Sequence, residues 1–186
     1  MKRVPMPVML TVLVVVLGGC IVTQRSTEDL VAAMSRMVGH VDATVASLPL
    51  EHLNSRRIYP PVSCAGGPLR TGVASRASML VTGHLDHRPV EAGALLDATA
   101  RELEQQGLEI RRLPVAQDGT HTLEATDADD AYAIGLFITP DLGRFMIEGA
   151  TGCHELPADL DEPDGRLGRF FEQVDPDGER FARRNG

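Results

Sequence analysis

The stretch "AYAIGLFITPDLGRFMIEGAT", residues 131–151, decides the fold class of this chain. Its first half alternates in character at every second residue, and the large apolar positions that share one side of an extended chain are Tyr132, Ile134, Leu136 and Ile138. The segment Pro140-Asp141-Leu142-Gly143 has the composition of a tight turn, and "RFMIEGAT" then returns with the same period of two. The stretch therefore predicts a β-hairpin with one buried face.

Further strands are predicted on the N-terminal side of this hairpin. Residues 108–116, "LEIRRLPVA", and 120–126, "THTLEAT", flank Asp118-Gly119, a favoured pair for hairpin turns, with His121, Leu123 and Ala125 on one face. Residues 77–86, "ASMLVTGHLD", have the β-branched and apolar centre of a strand. Residues 58–65, "IYPPVSCA", are predicted to be extended, and their two prolines place them at an edge of the sheet.

Two helices are predicted from apolar stripes with helical spacing. The first begins at the capping residues Ser26 and Thr27 and ends at Pro49, with a stripe made of Leu30, Met34, Met37, Val41, Val45 and Leu48. The methionines of this stripe are expected to fill the core rather than to bind a metal or cofactor. The second helix opens at Asp86 and Pro89, runs to about Gln106 and ends at Gly107.

This order of elements predicts an α+β fold, with an antiparallel sheet of about five to six strands and two main helices on one face. The domain is predicted to span residues 26–157. Residues 158–186, rich in charge, proline and glycine, are predicted to form an acidic and partly ordered tail. Within that tail, Phe170 and Phe171 are expected to dock a short terminal helix on the sheet.

The N-terminus has the layout of an export signal. Lys2 and Arg3 precede an apolar run, residues 4–19, that is shorter than the roughly 20 residues of a transmembrane helix and ends in small residues. Leu17-Gly18-Gly19-Cys20 resembles the bacterial lipobox. That resemblance implies that residues 1–19 are a signal peptide, that Cys20 becomes the first mature residue and carries diacylglycerol and fatty acids such as palmitate, and that residues 20–25 form a membrane tether. The alternatives are an ordinary signal peptide and an uncleaved anchor.

The other two of the three cysteines, Cys64 and Cys153, are expected to form a disulfide. Export would place them in a compartment that permits disulfides, and the predicted sheet can bring an early edge strand to the end of the last strand. The alternative is a catalytic thiol at Cys153, for which the adjacent His154 is the only sequence indication.

Composition excludes several function classes. The formal net charge is −8, and removal of Lys2 and Arg3 makes it about −10, so a nucleic-acid partner is excluded. No lysine follows Lys2, so a Walker lysine, a Ser-x-x-Lys site and a Schiff base are all excluded after that position. Arginine as the main cation, with abundant alanine, glycine, valine and aspartate, suggests a high-GC genome, as in actinobacteria.

Candidate chemistry is sparse. His84 and His87 are three residues apart, so on a helix their side chains could bind one metal ion, whereas on a strand they would lie on opposite faces. No third ligand is indicated by spacing. The acidic runs 127–130 and 159–165 do not fit a calcium-binding loop, which requires a bidentate acid at its twelfth position. No metal, cofactor or catalytic residue is therefore predicted.

With these elements assembled, the chain resembles the actinobacterial LppA-like lipoproteins. The matching features are the lipobox at Cys20, the amphipathic first helix, Cys64 before the first good strand, the long helix "VEAGALLDATARELEQQG" and the closing "IEGATGCHEL" around Cys153. The resemblance implies an envelope lipoprotein with a compact α+β domain and no catalytic residues to carry over.

The sequence thus predicts a non-catalytic, lipid-anchored protein on the extracytoplasmic face of the plasma membrane that binds an envelope protein or a small ligand. One alternative is an envelope enzyme, with or without metal assistance, that would use His84, His87 or His154 with nearby acids. Another alternative is a carrier that holds an apolar ligand between the sheet and the helices.

Overall fold

The hairpin predicted at residues 131–151 lies in the middle of a single antiparallel sheet in the computed structural model of the chain. The structure describes residues 30–69, 74–86, 91–127, 129, 131–156 and 165–174. Within these ranges the elements, in chain order, are α1 (Leu30–Ser47), β1 (Leu50–Ser63), β2 (Ala74–Leu85), α2 (Ala92–Gln105), β3 (Leu108–Arg112), β4 (His121–Asp127), β5 (Tyr132–Thr139), a 3-10 turn (Pro140–Leu142), β6 (Arg144–Thr151), β7 (His154–Glu155) and α3 (Arg166–Val174).

The sheet has the strand order β1-β2-β6-β5-β4-β3, and every neighbouring pair is antiparallel. The short strand β7 pairs with the start of β2. The sheet has two halves that are built from hairpins: β1 and β2 form one, and β3 to β6 form the other. Helix α2 connects β2 to β3, which is the edge strand of the second half. The α+β prediction is confirmed, and the sheet is slightly larger than expected because the unpredicted two-residue strand β7 pairs with β2.

Both main helices lie on the same face of the sheet. α1 packs across β6, β5 and β2, whereas α2 packs on β3 and β4. The predicted stripe of α1 faces the sheet, and Met34 and Met37 are fully buried, as expected of core-filling methionines. The predicted cap at Ser26 and Thr27 lies outside the described residues.

α1 packs tightly against the backbone of β6 at Gly149. A Cβ atom at this position would lie 3.0 Å from Met37 Sδ and 3.2 Å from Met79 Cγ. The helix and the sheet therefore meet here through a backbone with no side chain, and no space is left between the two layers at this point.

The edge strand β1 is longer than predicted. The sequence indicated extended chain only for residues 58–65, whereas β1 begins at Leu50. Its polar first half lacks a clear period of two because the register with β2 shifts between Leu50 and His52 and again between Leu53 and Ser55. A third shift falls at the two prolines, which an edge strand tolerates because one of its backbone edges has no ladder partner.

The second helix and the turn of the central hairpin both end at a glycine with positive φ. α2 is followed by Gly107 with φ of +90°, which confirms the predicted terminator, although the helix begins only at Ala92. The predicted opening at Pro89 lies outside the described residues. Gly143 has φ of +56° and closes the turn between β5 and β6.

The turn between β3 and β4 is looser than the predicted two-residue hairpin. Asp118 and Gly119 do form its tip, but the strands stop at Arg112 and restart at His121. The Asp118 carboxylate accepts a hydrogen bond of 3.0 Å from the Thr120 backbone N–H, and this bond lowers the pKa of Asp118.

The C-terminal helix α3 packs mainly on α1, whereas the sequence predicts that it docks on the sheet. Leu167 and Phe170 are both buried in the core. The side chain of Phe171 lies outside the described residues.

The predicted disulfide between Cys64 and Cys153 is confirmed. Their Cα atoms are 6.2 Å apart, and 89 positions separate them in sequence. The backbone N–H of Cys64 also donates a hydrogen bond of 3.0 Å to the carbonyl of Ala74, at the start of β2. The bridge therefore joins the end of the edge hairpin to the segment that follows β6.

Substitution of Gly149 by Val should destabilise the domain by about 1–3 kcal/mol, because the new side chain would overlap Met37 and Met79. Urea unfolding followed by circular dichroism measures this change. The matched control is Gly39→Ala on the exposed side of α1, where a Cβ meets nothing within 4 Å. Its helix propensity should raise the stability by about 0.5–1 kcal/mol. Equal stability of Gly149→Val and wild-type protein would show that α1 does not press on the sheet at this point.

Reduction of the disulfide should lower the melting temperature. In the chain-entropy model, closing a loop across 89 positions lowers the entropy of the unfolded chain and so raises the free energy of unfolding by roughly 4–5 kcal/mol. Differential scanning calorimetry with and without a phosphine reductant tests this. A double Cys64→Ser, Cys153→Ser variant should melt at the lower temperature and should not respond to the reductant. A midpoint that the reductant leaves unchanged in the wild-type protein would contradict the stabilising role.

Candidate binding face

The sheet face opposite the helices is here called the open face. On the three central strands, the residues that point to the helices are buried, and those that point away are half-buried or exposed. Neither α1 nor α2 lies on that side, since both pack on the buried positions. The open face therefore carries neither of the two main helices.

One row of side chains crosses the open face through its centre. Phe137 pairs in register with Met146 on one side and with Thr122 on the other, and Met146 pairs with Thr82. At β1 the row ends in Ser55, whose hydroxyl lies 2.9 Å from that of Thr82. An apolar pair at the centre with hydroxyls on both sides is a suitable composition for a protein-binding patch.

The ring of Phe137 lies over a glycine of its own strand. A Cβ at Gly135 would meet the Phe137 ring at 2.9 Å, so the ring fills the space that a side chain at position 135 would occupy. Leu80 of β2 lies on the same face and in the same row as Gly135 and Glu148. The apolar part of the open face therefore comprises Leu80, Phe137 and Met146.

Charged residues flank this apolar part on both sides. Along β6, Arg144 precedes Met146 by two residues and Glu148 follows it by two, so all three share the open face. On the far side of the sheet, Glu124 of β4 forms an ion pair of 3.8 Å with Arg111 of β3. Exposed pairs of this kind contribute little to stability, and they leave the face mixed in charge.

The histidines that the enzyme alternative required do not converge. His84 lies on the open face, where its ring stacks on His52 with centroids 4.7 Å apart and its Nδ1 lies 3.3 Å from Asn54 Nδ2. His154 is buried on the helix side, and its Nε2 lies 2.9 Å from the Ala131 carbonyl. His87 lies outside the described residues. His84 and His154 are therefore on opposite sides of the sheet.

Metal ligation and thiol chemistry can be judged for the described part of the chain. There, no three His, Cys, Asp or Glu side chains are placed to hold one metal ion together. The catalytic-thiol alternative for Cys153 is wrong in this structure, because the sulfur is bonded to Cys64. Of the acidic run 127–130, Asp127 is engaged by Arg36, and residues 128 and 130 lie outside the described residues.

A polar network that sequence analysis missed joins α1 to the ends of β4 and β5. Arg36 donates hydrogen bonds of 2.9 and 3.4 Å to the two carboxylate oxygens of Asp127, and its guanidinium lies 5.3 Å from the centre of the Tyr132 ring. The Tyr132 hydroxyl lies 2.7 Å from His40 Nδ1. The four residues form one chain of contacts in which the buried Tyr132 keeps a hydrogen-bond partner.

The protonation of His40 is tied to this network. Desolvation by burial, and in addition the positive charge of Arg36, lower the pKa of His40 below its ordinary value, whereas Asp127 acts in the opposite direction. His40 is thus favoured in its neutral form, which lets Nδ1 accept the hydrogen bond from the Tyr132 hydroxyl. The only signal in the sequence was the spacing of Arg36 and His40, four residues apart on one helix face.

No helix within the described ranges combines enough length with enough apolar character to cross a bilayer.

The stability of the domain should decrease as the pH falls from about 6.5, the ordinary pKa of histidine, because unfolded His40 takes up a proton more readily than folded His40. This contribution is fully present above the unfolded pKa and is lost as the pH falls through the folded pKa. Urea unfolding at pH 7.5 and 5.5 should show a smaller difference for His40→Gln than for wild-type protein. His121→Gln, outside the network, controls for the loss of a histidine as such. An identical pH difference in His40→Gln and wild-type protein would contradict the assignment.

Comparison with known proteins leaves the chain without a matched relative. No family model, no curated protein and no solved structure matches it. The resemblance to LppA-like lipoproteins therefore stays a prediction from the sequence, and only the geometry of the chain's own residues supports a function.

Proposed function

We propose that the protein is an exported lipoprotein, anchored through Cys20 to the outer face of the plasma membrane, that presents a non-catalytic binding domain. The open face is the surface with which this domain binds a partner in the cell envelope. The observation that carries the proposal is the pairing of Cys64 with Cys153. Because the sequence has three cysteines, this bridge leaves Cys20 as the one cysteine available for acylation.

The disulfide also supports the proposed compartment. Structural disulfides persist in oxidising environments outside the cytoplasm and are rare within it. The signal-like segment before Cys20 provides a route to such an environment. Lipid attachment supports stable anchoring, since each buried methylene contributes about 0.8 kcal/mol and diacylation supplies more than one chain.

The open face supports a binding role rather than a catalytic one. Its centre is formed by Leu80, Phe137 and Met146, and its polar margin contains hydroxyls and charges of both signs. This arrangement of an apolar centre and a polar rim is typical of protein interfaces. His84, which also lies on this face, stacks on His52, and its Nδ1 lies 3.3 Å from Asn54 Nδ2.

Neither alternative function gains a favourable observation. The enzyme alternative would use His84, His87 or His154 with nearby acids. His84 and His154 lie on opposite sides of the sheet, and His87 lies outside the described residues. The carrier alternative needs space between the sheet and the helices, and α1 closes that layer at Gly149.

The mature protein should begin at Cys20 and carry fatty acids on that residue. These are ester-linked through the diacylglycerol, with or without a further chain that is amide-linked to the N-terminus. Mass spectrometry of the protein purified from membranes of a host that processes lipoproteins measures both features. Cys20→Ala should abolish lipid attachment and leave the signal segment in place. The matched control is the Cys64→Ala, Cys153→Ala double variant, which should still be acylated.

A mature N-terminus at any other residue, or a Cys20 without fatty acid, would contradict the anchoring proposal. The control variant makes the result specific, because it removes both of the other thiols and keeps Cys20. Its acylation would exclude the possibility that lipid is attached at either of those cysteines.

A further inference from the structure

The open face has a charge pattern that is complementary to itself. Along β6 the outward residues are Arg144, Met146 and Glu148, so a positive and a negative charge stand at equal distances from a central apolar side chain. Arg144 and Glu148 are exposed, and neither forms an ion pair with another residue in the described part of the chain. Two opposite charges are thus available on either side of one apolar residue.

A two-fold rotation matches these charges between two copies of the chain. Suppose that the axis lies midway between the two faces, parallel to both, and runs along the row of Met146 and Phe137. It then places Arg144 of each copy opposite Glu148 of the other. The same rotation places Met146 opposite Met146 and Phe137 opposite Phe137, and His84 opposite Leu80. Each copy uses the same surface, as an isologous dimer requires, and the contact closes without leading to a filament.

We propose that the open face is the interface of a homodimer in which two copies of this chain pack face to face. The proposal rests on the binding role given to the open face above, but it does not depend on lipid at Cys20. Two sheets that pack in this way lie about 10 Å apart with strand directions within about 30°. The apolar centre is buried between them, and the two Arg144–Glu148 pairs fix the relative orientation of the copies.

The size of the face is adequate for such an interface. Strands spaced about 4.8 Å apart with about 3.4 Å per residue give the six-stranded, eight-residue face dimensions of roughly 24 by 27 Å. The resulting area of about 650 Å² is comparable with the roughly 800 Å² that each partner buries in a standard interface. At the margin, the rotation brings Arg57 of β1 towards His52, and a contact at such a solvated rim has little effect on affinity.

Exchange of the two charges tests the proposal. The full chain is purified in a detergent of matched density, and sedimentation velocity over a range of protein concentrations gives the dimer dissociation constant. Arg144→Glu and Glu148→Arg should each weaken the dimer by about tenfold or more, because each change replaces two attractive pairs with two repulsive ones. The double variant restores opposite charges and should dimerise like the wild-type protein.

Arg101→Glu on α2 is the control, since this exposed arginine lies on the helix side of the domain and its reversal should leave the dimer intact. Melting temperatures of all variants show whether the domain remains folded. A wild-type chain that stays monomeric up to about 1 mM, the limit of weak association, overturns the proposal. Single variants that stay dimeric, or a double variant that stays monomeric, overturn it as well. Acylation of Cys20 is measured separately, so the two proposals can fail independently.

Discussion

The contact of α1 with the backbone of β6 at Gly149 fixes the arrangement of the whole domain. Because no side chain separates the two layers there, the apolar stripe of the helix lies directly on the buried rows of β2, β5 and β6. The tail helix α3 packs against α1. The two main helices therefore both pack on one face of the sheet, and Phe137 and Met146 on the opposite face stay partly exposed.

The same contact explains the polar network beside it. Close packing of α1 brings Arg36 and His40 to the ends of β4 and β5, where Asp127 and Tyr132 are mostly or fully removed from water. A buried phenol without a partner would cost about 1–3 kcal/mol, and the neutral His40 ring removes that cost. The network therefore depends on the position of the helix, and it also specifies that position, since a shift of α1 by one turn would leave Asp127 without Arg36.

The sequence was sufficient where one periodicity extended over a whole element. β2, β5 and β6 alternate strictly, and α1 and α2 have continuous stripes, so the fold class and the disulfide could both be predicted. β1 could not, because register shifts and Pro60-Pro61 interrupt its alternation. The open face depends on strand order: only the pairing of β2 with β6 brings Thr82 beside Met146, 64 positions later in the chain. The network likewise joins residues about 90 positions apart, for which the sequence contains no local signal.

Anchoring and pairing of open faces would reinforce each other. Ten positions separate Cys20 from Leu30, the first residue of α1, and a chain of that length spans at most about 36 Å. An acylated Cys20 would therefore confine the domain to a thin layer above the membrane, in which two copies meet at a higher effective concentration than in solution. Under such confinement the proposed interface would form at a lower total protein concentration than in detergent solution. A two-fold contact is also compatible with two anchors in one plane only if its axis stands close to the membrane normal. Since the proposed axis runs across the strands, the strands of both sheets would then lie roughly parallel to the membrane surface.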